Sequence, residues 1–142
     1  KTLYDQTFDF TLSNLDWEVY WSNNLNSGIS NNSNTGGVAI GSADYPAGTI
    51  RFTTKNNFEY NSKTLINRIS LTGSTASGCS YTVKFKVNGE VVYTTTLSYQ
   101  GNAKTVQLIT YELETPVEGK VEIEISNINK ALYIQYIGID AE

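Results

Sequence analysis

A chain of 142 residues with ten Lys and Arg against fourteen Asp and Glu, a net charge of −4, gives phosphate backbones and anionic lipid no electrostatic reason to bind, so no nucleic acid is expected as partner. No apolar run approaches the roughly 20 residues that cross a bilayer, so this segment is not expected to insert in a membrane. Histidine is absent, which removes the commonest general base and the commonest metal ligand, and with them serine triads and cysteine–histidine dyads.

Alternation with period two recurs along most of the chain, and helical periodicity is hard to find. It predicts strands at Thr7 to Leu12, Trp17 to Trp21, Gly37 to Gly41, Thr49 to Thr53 and Leu65 to Leu71. The segment Ser22 to Gly37, SNNLNSGISNNSNTGG, is too polar to bury and reads as a long loop with room for one brief edge strand. Further on, Tyr81, Val83, Phe85 and Val87 share one face, and Thr82, Lys84 and Lys86 the other. Asn88-Gly89 then accepts the positive φ values of a type I′ turn, so residues 81 to 97 predict a hairpin.

A strand at Thr105 to Leu113 follows, closed by a turn at Thr115-Pro116-Val117-Glu118-Gly119. Val121, Ile123 and Ile125 alternate with Glu122 and Glu124 in the next one. The last run, Ala131 to Ile139, is apolar on both faces apart from Gln135, which predicts a central or covered strand. Eight to ten short strands without helices predict an all-β fold, an antiparallel β-sandwich of jelly-roll topology, as one domain over residues 1–142. With no Met at all, the chain reads as a processed product or a module of a larger secreted protein. A globule of about 150 residues buries roughly 68–70% of its unfolded surface, so no cofactor or metal is required for stability.

Paired carboxylates are the remaining route to catalysis. Asp5, Asp9, Asp16 and Glu18 read as solvated charges, as do Glu112, Glu114, Glu118, Glu122 and Glu124, which read as the outer face of two neighbouring strands. The chain is therefore not expected to be an enzyme. Cys79, the only cysteine, has no histidine to activate it and reads as an inert thiol. Calcium asks only for oxygen ligands; if the terminal strands pair, Asp9 and Asp140, with Asp5 and Glu142 nearby, become candidates for a structural ion.

Both tryptophans fall in Asp16-Trp17-Glu18-Val19-Tyr20-Trp21-Ser22. On a strand Trp17, Val19 and Trp21 share a face, and Val19 marks it as the apolar one, which favours two core indoles. The competing reading is a sugar platform. Trp21 ends the strand where the Asn-rich loop begins, Tyr20, Tyr45 and Tyr60 sit on or beside loops, and Asn23, Asn24 and Asn26 offer polar contacts.

The order Leu65-Ile-Asn-Arg-Ile-Ser-Leu71, Tyr81 to Val92, Gly119 to Ser126 and Lys130 to Ile139 resembles the galactose-binding-like jelly rolls of secreted gut-bacterial surface proteins. The resemblance rests on strand pattern, and no binding motif of the family carries over. It implies an extracellular or cell-surface location, an accessory role beside a catalytic or anchoring domain, and a glycan or a cell-surface protein as partner. The expectation is thus a non-catalytic module that binds carbohydrate weakly through loop aromatics. Its alternative is a structural or adhesin-like interaction domain with no small ligand.

Overall fold

The computed structural model describes residues 2–7, 17–22, 29–31, 38–42, 44–54, 66–75, 79–99 and 107–141. These form eleven strands and no helix: β1 Thr2–Thr7, β2 Trp17–Trp21, β3 Ile29–Asn31, β4 Val38–Ile40, β5 Gly48–Thr54, β6 Ile66–Thr75, β7 Cys79–Val87, β8 Glu90–Tyr99, β9 Gln107–Val117, β10 Val121–Ile128 and β11 Leu132–Ala141. The count exceeds the expected range by one because β3 is the brief edge strand within the Asn-rich segment.

Two antiparallel sheets make the sandwich. One has five strands in the order β2-β5-β10-β7-β8; the other has six, in the order β3-β4-β11-β6-β9, with β1 also pairing β11. β4 takes Leu132 to Ile134 of β11 and β1 takes Tyr136 to Asp140, so the two share one side of that central strand. β1, at Thr2–Thr7, precedes the strand expected at Thr7 to Leu12, which beyond Thr7 lies outside the described residues.

The hairpin forms as its alternation dictates. Tyr81, Val83, Phe85 and Val87 are buried, while Asn88 and Gly89 take φ of 53° and 82° in the turn. Pro116, expected in a turn, instead lies inside β9. β9 is an edge strand, and Pro116 falls in the irregular stretch between Arg68↔Glu112 and Ile66↔Val117, where it has no register partner on β6.

Two bulges account for runs that alternation alone misreads. In β11 the register slips between Ile134 and Tyr136, so Leu132 and Ile134 point inward before it, and Ile137 and Ile139 after it. The run looked apolar on both faces because its phase changes midway. In β10 the slip lies between Ile125 and Ile128, with Asn127 at φ 60°, and it returns Ile128 to the core.

Phe52, Phe85, Ile123 and Ile139, all fully buried, belong to the hydrophobic core. Side chains of this size each stabilise the fold by about 1.5–3 kcal/mol when removed from water. Thr54 is the one buried polar residue of the described set, and its hydroxyl is satisfied: it accepts from Val121 N at 3.2 Å and faces Val121 O at 3.5 Å.

Candidate ligand-binding surfaces

β2 places Trp17 and Trp21 inward at 2% and 5% exposure, and Glu18 and Tyr20 outward. At the end of the strand the indole Nε1 of Trp21 donates to Ala47 O at 2.6 Å, and Ala47 N donates to Lys130 O at 2.8 Å. Ser22 N donates to Thr49 O at 2.9 Å while its hydroxyl accepts from Thr49 N at 3.0 Å. Gly41 turns the chain at φ 80°, where an added Cβ would lie 2.7 Å from Tyr45 O and Ala47 N. Ser42 N donates to Tyr45 O at 2.8 Å, and Tyr45 N to Ser42 Oγ at 3.1 Å. These bonds fix the backbone of the β4–β5 connection on both sides of Tyr45, whose side chain stays 67% exposed.

Tyr20 is 47% exposed on the outer face of the five-stranded sheet. Arg51 is its register partner on β5, and the guanidinium carbon lies 3.9 Å from the ring centroid. Elsewhere on this face the polar groups are matched to one another. Lys86 Nζ meets Glu124 at 2.7 Å and Glu122 at 2.9 Å, Thr53 Oγ1 donates to Glu122 Oε1 at 3.3 Å, and Thr82 meets Thr96 at 3.1 Å. Its hydrogen bonds to Glu124 and then to Glu122 raise the pKa of Lys86 above its usual value. In return Lys86 holds the Glu124 carboxyl below the usual carboxylate range.

Two expectations change, and Trp21 takes the favoured of its two readings, a core indole. Trp21 has no face free to stack on a sugar, because period-two alternation turns it inward and its only polar atom is held by Ala47. Asp140 does not present its carboxylate to a metal: the terminal strands do pair, yet Nε and Nη2 of Arg68, its register partner on β6, both reach Oδ2. Arg68 thus neutralises Asp140, while Asp9, Glu142 and the side chain of Asp5 lie outside the described residues; no metal-binding cluster occurs among the described residues. The five glutamates do not share one face, since Glu112 and Glu114 lie on β9 and Glu122 and Glu124 on β10, in different sheets. Asn23, Asn24, Asn26, Tyr60 and Asp9 lie outside the described residues, as do the side chains of Asp5 and Cys79.

Two features escaped the sequence. Arg51 is one cation on an alternating strand, and only the β2–β5 register places it over Tyr20. A cleft of about 500 Å³ between Val87, Val92, Tyr111, Leu113 and Val117 needs both sheets in place before it exists.

No family model and no curated protein sequence matches the chain. Solved structures do resemble it. CsCBM6-3 from Clostridium stercorarium, solved in complex with cellobiose, aligns with a TM-score of 0.58 at 15% identity, over 98% of this chain and 94% of its own. A family 35 carbohydrate-binding module from Clostridium thermocellum gives 0.56 at 11% identity, over 98% and 99%. The fold is the jelly roll of carbohydrate-binding modules. The exo-β-1,3-galactanase Pc1,3Gal43A of Phanerochaete chrysosporium, solved with galactose, gives 0.56 at 17% identity over 96% of this chain. This chain spans only 29% of that enzyme, whereas the module matches run nearly end to end on both sides. Identities this low establish the shared architecture and no more.

Proposed function

We propose that the protein is a non-catalytic extracellular module, acting beside other domains, that binds carbohydrate weakly through exposed aromatic rings at the β4–β5 end of the five-stranded sheet. The observation that carries this reading is Tyr45: a ring 67% exposed on a connection already fixed by the Trp21, Ser42 and Lys130 bonds. A rigid aromatic presented to water loses little conformational freedom on stacking against the apolar face of a sugar. Tyr20, on the strand residue next to Trp21 and with Arg51 beside it as a hydrogen-bond donor, is the second ring of this reading. The jelly-roll modules that share this architecture include one solved with cellobiose, which supports a glycan as the ligand class. Asn23, Asn24, Asn26 and Tyr60 remain candidates for further contacts.

Isothermal titration of the whole chain against soluble cello-, xylo- and galacto-oligosaccharides tests the proposal. Heat with at least one of them, in the weak millimolar to micromolar range, is expected; none with any of them overturns the reading. The burial of Trp17 and Trp21 favours a second one, a structural or protein-interaction domain. That reading expects the same titrations to be silent.

A further inference from the structure

β8 and β9 are facing edges of the two sheets, joined by the Tyr93–Tyr111 ring stack at 4.9 Å and 17°. Among the described residues each pairs on one side only, β8 with β7 and β9 with β6. Exposed edges invite pairing with another chain, and natural sheets blunt them with charge and proline. β9 is blunted in this way by Glu112, Glu114 and Pro116. β8 is not: Val91 to Tyr99 reads VVYTTTLSY, with no charge, proline or glycine, and Val91 is 49% exposed.

Beside the unguarded edge lies the cleft of about 500 Å³, walled by Val87, Val92, Leu113 and Val117, with Glu90 and Glu114 on its rim. Both carboxylates are exposed, and neither has an ion-pair or hydrogen-bond partner among the described residues. The mouth is rigid. Asn88 N donates to Lys120 O at 2.9 Å, Asn88 Nδ2 to Glu118 O at 2.8 Å, and Lys120 N to Asn88 Oδ1 at 3.1 Å, which ties the β7–β8 turn to the β9–β10 turn.

We infer that β8 and this cleft dock an extended segment of a partner polypeptide whose apolar residues alternate and whose Lys or Arg lies at the end nearest Asn88. Such a segment adds a strand beside β8 and meets the edge N–H and C=O groups. Alternate side chains then enter the cleft against Val87, Val92, Leu113 and Val117, and the cation reaches Glu90 and Glu114. Val87, Val92, Leu113 and Val117 give the cleft aliphatic positions for alternate side chains, and Asn88, Tyr111 and Thr115 complete its lining. The inference does not depend on the glycan reading.

The test is fluorescence anisotropy of a labelled ten-residue peptide of alternating Val and Lys, titrated with the whole chain. Glu90→Lys and Glu114→Lys, both at exposed positions, are each expected to weaken binding about tenfold. Glu18→Lys makes the same change in net charge on β2, the far edge of the sheet, and should leave binding within about twofold. A Ser–Lys peptide should bind at least about tenfold more weakly than the Val–Lys one. Equal weakening by Glu18→Lys, equal affinity for the Ser–Lys peptide, or no binding at all would overturn the inference. Sedimentation showing that the chain alone dimerises, with Thr94→Lys restoring the monomer, would overturn it too by giving the edge to a second copy.

Discussion

Trp21 and Ala47 are joined by an indole N–H to carbonyl bond of 2.6 Å, so a core residue of β2 fixes the connection that displays Tyr45. The indole contributes to this end of the sheet through support, and the exposed ring through contact. Trp21→Phe removes the shorter of two donors to Ala47 O, the other being Ser22 Oγ at 3.5 Å, and leaves a cavity; about 2–4 kcal/mol of stability should be lost, measured by urea unfolding. Tyr45→Ala, at an exposed position, should cost no more than about 0.5 kcal/mol in the same assay.

Gly119 sits at φ 137°, and a Cβ there would lie 1.9 Å from Asn88 Oδ1. Gly119→Ala therefore combines a strained backbone with loss of the Asn88 bridge, and a cost of about 2–3 kcal/mol is expected in the unfolding midpoint. Asn88→Gly suits the φ of 53° and loses only the side-chain bonds, so its cost should be smaller, about 1 kcal/mol.

Stability should fall at alkaline pH through Tyr81. Burial pushes its phenol up from 10.0 to about 12, and its hydroxyl donates to Gln107 Oε1 at 2.6 Å. The folded chain favours the protonated phenol, so this stabilisation is complete below pH 10 and is lost progressively as pH rises toward 12. Tyr81→Phe should flatten the dependence of the melting temperature on pH across that interval, while lowering stability at neutral pH by the lost hydrogen bond.

The acidic arm has the opposite sign. Lys86 depresses the Glu124 carboxyl, so this contribution is present above the usual value of 4.5 and disappears as pH falls below it. Glu124→Gln should remove the corresponding part of the acid slope at a cost near neutral pH of about 1 kcal/mol, since both side chains are only partly exposed. Potentiometric or thermal titration from pH 6 to 3 reads the difference.

The parts of the fold visible in the sequence were those that obey one rule over several residues. Tyr81 to Val87 alternates without interruption and ends in Asn-Gly, so its facing, its turn and its partner strand all follow locally. β10 and β11 obey the same rule in two halves, and the bulges that join the halves depend on neighbouring strands. The candidate site was legible in part. Tyr20 follows from alternation with Val19, and Tyr45 from its place on or beside a loop. The pairing of Tyr20 with Arg51 required register, and the diversion of Asp140 to Arg68 required knowing which strand lies on the other side of β11. Local pattern carries orientation; partners arise from long-range pairing.

The most direct measurement is affinity electrophoresis of the native chain, Tyr45→Ala and Tyr20→Ala through gels that contain plant or mucin polysaccharides. The account predicts retardation of the native chain by at least one polysaccharide. It also predicts an affinity lower by about tenfold in Tyr45→Ala, with a smaller loss in Tyr20→Ala and unchanged melting temperatures in both. A native chain that no polysaccharide retards, or one whose retardation survives both substitutions, would contradict it.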